Sequence, residues 1–194
     1  MGKRPYDAPQ SCGFGKPYAK TMVSASLLDK AKACVYAGNA NELRLLLDSA
    51  SDQTRERILL SEFDNEVGIK RPSSSNPVFI EHPNLVAAAI GLWFVDVVSC
   101  LVSYGIGFDS MVDIRDPTND PACYKSNPLI IASMLGKVEM VRSLVNNGAS
   151  IDGSNSLGDT SLLEACFEGN YAVAEFLIQK RASVNKANER GITG

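Results

Sequence analysis

The C-terminal part of this chain, from residue 127 to residue 193, repeats its own pattern at a spacing of 33 residues. Six residues of the first copy return one period later: Leu129, Ala132, Gly136, Leu144, Ala149 and Gly158 correspond to Leu162, Ala165, Gly169, Leu177, Ala182 and Gly191. A fixed period of this length is typical of stacked repeats, in which each unit buries its apolar face only against its neighbours. The sequence therefore predicts a repeat solenoid, a class of protein that usually binds other proteins.

Each period has the pattern of two short helices followed by a polar finger. Pro128 suits the first turn of a helix, because the amide hydrogen that proline lacks would have no partner there. Gly136 stands where the chain must reverse within about two residues, which favours a residue able to take positive φ. The second helix carries an apolar stripe at helical spacing, formed by Val141, Leu144 and Val145.

These residues resemble the ankyrin-repeat family. The family's Thr-Pro-Leu-His motif corresponds to Asn127-Pro128-Leu129-Ile130 in the first copy and to Thr160-Ser161-Leu162-Leu163 in the second, and neither copy has the histidine. The alanine, the turn glycine and the Gly-Ala of the family follow at the expected offsets in the first copy. The resemblance implies an all-α fold, an ankyrin-repeat solenoid of paired antiparallel helices with projecting hairpin or loop fingers.

Two weaker copies precede the clear pair. Around Gly38 the apolar residues follow at the offsets of the clear copies but without a finger, and around Leu85 a second copy has Gly91 as its turn glycine, one place early. We predict an ankyrin-repeat domain over residues 25–194, after a disordered tail at residues 1–24. Its repeats are expected at about residues 27–60, 83–108, 127–158 and 160–191, with the start of a further repeat at 191–194.

Two insertions separate the repeats. The first, Lys70 to Pro83, contains an Arg-Pro pair followed by serines, and the second, Asp109 to Asn127, is rich in aspartate and contains two prolines. These residue types favour turns and irregular backbone, so both insertions are predicted to be long finger loops. Loops of such length in a compact array are often functional, and disorder is the other interpretation.

The composition is that of an ordinary soluble protein, with 45% hydrophobic and 21% charged residues. A net charge of −3 without a cluster of lysines and arginines lacks the footprint of a phosphate-binding surface, so we expect no nucleic-acid partner. The most apolar run, Leu85 to Val102, is interrupted by Asp96 and fits two short helices better than one membrane span. We therefore expect no membrane partner.

Neither catalytic nor metal-binding chemistry is indicated. His82 is the one histidine, and the five cysteines form no C-x-x-C pair, whereas a zinc site needs several ligands at close spacing. No Gly-x-Ser-x-Gly motif accompanies His82. We expect a non-enzymatic protein that uses neither a cofactor nor a metal. Cysteines placed within helices favour a reducing compartment, the cytoplasm or the nucleus.

The fourth repeat resembles one ankyrin subgroup more specifically. Residues 165–169 read Ala-Cys-Phe-Glu-Gly, where the fem family of substrate receptors for cullin-2 ubiquitin ligases has Ala-Cys-Phe-Asp-Gly. The fem family also has a fingerless first repeat and a long insertion before its third repeat. This resemblance implies that the chain recognises C-terminal degrons of other proteins, notably those that end in arginine.

The fem resemblance also implies a set of peptide-binding residues. In the family an acidic pocket receives the terminal residue, and the Phe-Asp pair corresponds to Phe167 and Glu168. A second family acid, in the insertion, corresponds to Asp116 or Asp113, of which we favour Asp116. A carboxylate suits a guanidinium because two parallel hydrogen bonds can form between them. The alternatives are that the aspartates only solvate a loop, that Glu168 lies at a helix surface, and that Phe167 packs against the neighbouring inner helix.

The last residues, Gly191 to Gly194, have the pattern that opens a further repeat, so we expect this chain to be a fragment. Members of the fem family contact the cullin-2 and elongin complex through a C-terminal box beyond their repeats. We expect that contact only through a C-terminal region absent from this sequence. Two alternatives for function remain. One is a generic ankyrin scaffold that binds an unrelated protein, and the other is an enzyme that carries ankyrin repeats and has its catalytic domain outside these residues.

Overall fold

The computed structural model describes residues 25–64, 66–72, 77–105, 108, 110–117 and 123–194. The disordered tail predicted for residues 1–24 lies outside these ranges. Within them, helices form pairs joined by turns of two or three residues. The pairs are α1 (Ala25–Ala37) with α2 (Ala40–Ser49), α4 (Leu85–Gly91) with α5 (Val95–Ser103), α6 (Pro128–Met134) with α7 (Val138–Asn146), and α8 (Ser161–Phe167) with α9 (Tyr171–Gln179); α3 (Asp52–Leu59) follows the first pair.

The inner helices α4, α6 and α8 begin at side chains that cap their free amide hydrogens. Asn84, Asn127 and Thr160 each accept a hydrogen bond from the backbone N–H three residues later. A cap of this kind contributes about 1 kcal/mol. Pro128 occupies the first turn of α6, and every residue of that helix is buried. The inner helices therefore form the centre of the stack, and the 33-residue period places them side by side.

The turn inside each pair depends on one residue with a left-handed backbone. Gly38, Gly136 and Gly169 take φ angles of 68°, 68° and 69°, and Trp93 takes 69° at the same place in the second repeat. The prediction that Gly91 makes this turn was therefore wrong by two residues. The backbone of Trp93 is strained at this φ, and its side chain is 53% exposed. The ammonium of Lys137 lies 3.3 Å from the centroid of the Trp93 ring, which is a cation–π contact between consecutive repeats.

Gly91 has a different role, because a strand passes directly over it. A Cβ atom at this position would lie 2.6 Å from Cγ1 of Val67 and 3.2 Å from Cγ2 of Ile69. No side chain fits into that space unless the side chains of Val67 and Ile69 shift. Gly91 is thus required for the close approach of a β-sheet to α4.

The sequence predicted an all-α fold with loops at the two insertions. That prediction was wrong, because the described residues in and beside each insertion form an antiparallel strand pair, a β-hairpin. The two hairpins join into one antiparallel sheet with the strand order β1-β2-β3-β4 among the described residues. Pairing of Ile80 with Ile114 lies at the centre of the junction between the hairpins. The strands are β1 (Val67–Lys70), β2 (Pro77–Glu81), β3 (Val112–Arg115) and β4 (Cys123–Ser126).

One face of this sheet belongs to the same apolar core as the helices. Alternate residues of the strands are buried, including Val67 and Ile69 on β1 and Val112 and Ile114 on β3. They belong to a continuous cluster that runs from α1 to α9. The strands were missed because each has only four or five residues and the prolines and polar residues between them read as loops. None of the described helices is long and apolar enough to span a bilayer.

Candidate functional site

A cavity of about 180 Å³ lies between helix α8 and the residues that follow strands β1 and β3. Four carboxylic acids line it. Asp116 follows the last residue of β3, Asp159 precedes α8, Glu164 is in the middle of α8, and Glu168 follows its last residue. All four are buried, with exposed fractions of 1%, 7%, 8% and 9% in that order. Carboxylates are rarely buried without a cation or hydrogen-bond donors, so each needs an explanation.

Asp116 is neutralised by an arginine of the first hairpin. Arg71 follows the last residue of β1, and its Nη1 lies 3.0 Å from Oδ2 of Asp116 while Nη2 donates to Oδ1 at 3.4 Å. The Nη1 contact is an ion pair without hydrogen-bond geometry, whereas the Nη2 contact is a charge-assisted hydrogen bond. The same Nη1 lies 3.5 Å from Oε1 of Glu168. The guanidinium of Arg71 thus lies between Asp116 of the second insertion and Glu168 at the end of α8.

Asp159 is held by two asparagines of consecutive fingers. Asn188 donates from Nδ2 to Oδ1 of Asp159 at 2.7 Å, and Asn155 donates from Nδ2 to Oδ2 at 3.3 Å. The two asparagines are one period apart, so the repeat itself supplies both donors. Asp159 therefore links one finger to the next.

Glu164 differs from the other three acids, because among the described residues its carboxyl makes no hydrogen bond and no ion pair. Burial first, and then the neighbouring acids Asp159 and Glu168, raise the pKa of Glu164 to about 8 against the opposing effect of Arg71. Burial first, and then the charges of Glu164 and Asp116, raise the pKa of Tyr124, which also lines the cavity. The described lining contains four acids but only the two arginines Arg71 and Arg190, so it has an excess of acid groups.

Comparison with known protein families identifies the repeat. The family model described as "Ankyrin repeats (3 copies)" matches residues 85–188, which is 104 of the 194 residues. This chain belongs to the ankyrin-repeat family. Ankyrin repeats bind protein partners, so the chain is a protein-binding module. Its helical solenoid is that of the family, with the four-stranded sheet added by the two insertions.

Three relatives match parts of this ankyrin protein, which spans less than a third of the length of each of them. It is 35% identical over 63 residues to the E3 ubiquitin-protein ligase XBAT33 of Arabidopsis thaliana, a match that covers 32% of this chain and 12% of that protein. It is 30% identical over 115 residues to the putative ankyrin repeat protein FPV031 of Fowlpox virus, covering 59% and 31%. The probable E3 ubiquitin-protein ligase XBOS33 of Oryza sativa subsp. japonica is 32% identical over 63 residues, covering 32% and 12%. None of the three is named as a fem protein.

The ankyrin fold brings together three of the four residues proposed from the fem resemblance. Asp116, Phe167 and Glu168 line the cavity, and Phe167 is 52% exposed at its rim. Asp113 does not line it. Asp113 lies within β3, where strand alternation directs it away from the buried side chains, and it pairs with Nζ of Lys125 on β4 at 3.2 Å.

Sequence reasoning missed Glu164 and Arg71. The period contained a signal for Glu164, because the position one repeat earlier holds Ile131, which is fully buried. Glu168 likewise stands where the preceding ankyrin repeat has Leu135. Two acids in place of two core residues indicate that the fourth repeat has a polar site where the third has packing. Arg71 had no comparable signal, since it reaches the cavity only because its hairpin joins the sheet.

Proposed function

We propose that the cavity beside Glu164 receives a basic side chain, an arginine above all, of a protein partner. The observation that carries this proposal is the Glu164 carboxyl, which is 8% exposed and faces the cavity without a partner among the described residues. A buried carboxyl with acids around it is costly in either protonation state unless a cation arrives. An incoming guanidinium or ammonium group would neutralise Glu164 and contact Glu168.

A guanidinium suits this cavity better than an ammonium. A planar guanidinium can bind a carboxylate through two parallel hydrogen bonds, and it stacks on aromatic rings. Phe167 stands at the rim, half exposed, where it can cover such a plane. A metal ion is a poorer occupant, because in the described part of the chain no three His, Cys, Asp or Glu side chains are arranged to hold one.

The fem resemblance narrows the proposal to a C-terminal arginine and to a role in protein degradation. In this form the chain is the non-catalytic substrate-recognition part of a cullin-2 ubiquitin ligase receptor that reads C-terminal degrons in the cytoplasm or the nucleus. The support is that Asp116, Phe167 and Glu168, which correspond to the family's pocket, line one cavity. Contact with cullin-2 and elongin would require a region of protein outside these 194 residues.

Fluorescence anisotropy with labelled peptides tests this function. Four peptides of one sequence end in free arginine, in amidated arginine, in lysine and in alanine. We expect the order of affinity to be free arginine above amidated arginine, lysine next and alanine undetectable. Glu164→Gln and Glu168→Gln should weaken arginine binding at least tenfold, because each removes a charge-assisted contact worth about 1.5–3 kcal/mol.

The matched control is Glu175→Gln, the same chemical change at an exposed position of α9 outside the cavity. It should leave every affinity unchanged. Equal affinity for free and amidated arginine would reject the C-degron form while retaining the basic-residue site. Equal binding of all four peptides, or binding insensitive to Glu164→Gln, would reject the site and favour a generic ankyrin scaffold.

A further inference from the structure

A guanidinium already occupies one corner of the cavity, and it belongs to the chain itself. Arg71 contacts both oxygens of Asp116 and lies 3.5 Å from Glu168. The side chain of Asp116 is 1% exposed and that of Glu168 is 4% exposed. Asp116 and Glu168, which would bind an arginine of a partner, therefore already bind Arg71.

A second guanidinium cannot join Arg71 at this corner without cost. Both groups carry a full positive charge, and two such charges a few ångströms apart in a partly buried site repel each other. Arg71 contacts one oxygen of Glu168 at 3.5 Å, and an incoming guanidinium that binds this carboxylate through both oxygens must displace that contact. Arg71 and an arginine of a partner therefore compete for Glu168.

Arg71 lies outside the paired residues of its hairpin. The ladder between β1 and β2 ends with the pair Lys70–Pro77, so Arg71 lies one residue beyond the paired strand. Its side chain keeps 14% of its surface exposed, which leaves it a route to solvent. Moving the guanidinium out of the cavity would break its contacts with Asp116 and Glu168 but none of the pairs within the sheet.

We infer that the corner formed by Asp116 and Glu168 is a guanidinium-binding subsite, filled by Arg71 in the free protein and by a partner's arginine when Arg71 is displaced. The part that concerns the partner rests on the function proposed above, whereas the guanidinium subsite stands without it. A tethered competitor multiplies the partner's intrinsic affinity by the fraction of time during which the subsite is empty. If Arg71 occupies the corner about nine-tenths of the time, its removal tightens peptide binding about tenfold.

The first experiment removes the tethered guanidinium and supplies a free one. In Arg71→Ala, ethylguanidinium at millimolar concentration, the range of a tethered group's effective concentration, should raise the melting temperature in a saturable way. It should not do so in the unaltered protein, where Arg71 fills the corner, nor in Arg71→Ala/Asp116→Asn, where the carboxylate is gone. If Arg71→Ala unfolds because Asp116 loses the guanidinium, ethylguanidinium should restore its fold, so a loss of folding leaves the test intact.

The second experiment measures the peptide that ends in arginine against the same variants. Arg71→Ala and Arg71→Ala/Asp116→Asn are compared with Arg115→Ala, which removes an arginine of the same sheet that pairs with Glu66 and Glu81 instead. We expect about tenfold tighter binding for Arg71→Ala and no change for Arg115→Ala. Ethylguanidinium should compete with the peptide in Arg71→Ala.

The outcomes separate this inference from the proposed function. Peptide binding that is unchanged or weaker in Arg71→Ala would overturn displacement while leaving the function in place. Stabilisation by ethylguanidinium without binding of any peptide would support the subsite and reject the function. Absence of saturable stabilisation in a folded Arg71→Ala protein would overturn the subsite itself.

Discussion

Replacing Glu164 by glutamine should stabilise the folded protein, by an amount that grows with pH. The pKa of Glu164 is raised from 4.5 to about 8, first by burial and then by neighbouring acids. Between these two values the folded protein holds a proton that the unfolded chain has released. Folding therefore takes up a proton in this window, and the free energy of unfolding falls as the pH rises. Glutamine does not ionise, so the variant lacks this loss.

The size of the effect follows from the pKa shift. Each pH unit inside the window costs about 1.4 kcal/mol, so Glu164 lowers the free energy of unfolding by about 3 kcal/mol between pH 5 and pH 7.5. The carboxyl is 8% exposed, so solvent screens it little. The charged groups that set this shift are Asp159, Glu168, Arg71 and Asp116; they stay in place in Glu164→Gln and cancel to first order in the comparison.

Urea unfolding of both proteins at a series of pH values and constant ionic strength measures the difference. The expected difference is near zero at pH 4.5, reaches about 4 kcal/mol at pH 8 and levels off at about 5 kcal/mol above pH 9, with equal m-values. Glu175→Gln, on the exposed surface of α9, should show no such rise. A flat difference for Glu164→Gln, or a variant less stable than the original protein at pH 7.5, would refute the reasoning.

Three further expectations follow from the same contacts. Binding of an arginine peptide should strengthen about ten- to twentyfold between pH 6.5 and pH 8, because the cation needs the ionised Glu164; anisotropy titrations should show the rise, and Glu164→Gln should abolish it. Gly91→Ala should cost about 1–3 kcal/mol by urea unfolding, because its Cβ would lie 2.6 Å from Val67; a stabilised variant would contradict the packing. Arg181→Gly should stabilise by about 0.5–1 kcal/mol in thermal melts, since Arg181 is exposed at a φ of 67°; a loss of stability would show that its side chain makes a needed contact.

The two insertions illustrate where sequence reasoning failed. The prolines, serines and aspartates at residues 70–83 and 109–127 predicted loops, but the flanking residues alternate between buried and exposed and form strands. Strands of four or five residues carry too few alternations to be recognised against those turn signals. The pairing of β2 with β3 joins segments more than thirty residues apart, and no local pattern encodes such a contact.

The candidate site was partly accessible from the sequence. Phe167, Glu168 and Asp116 came from the resemblance of a pentapeptide and an insertion to the fem family, not from their chemistry. Glu164 could have been found from the period alone, because it replaces the buried Ile131 of the preceding repeat. Arg71 could not have been found, since nothing in its neighbourhood indicates that it contacts an acid 45 residues away.

The sequence by itself determined the repeat, because a period of 33 residues with capped and apolar positions makes each unit bury its face against the next. Capping residues and the left-handed turn glycines act within a few residues, so they can be read locally. The tertiary structure alone decided which charges meet. Arg71, Asp116 and Glu168 lie on different elements and come together only after the hairpins form a sheet and the sheet packs on the stack. The cavity is a product of that packing, and so is the guanidinium within it.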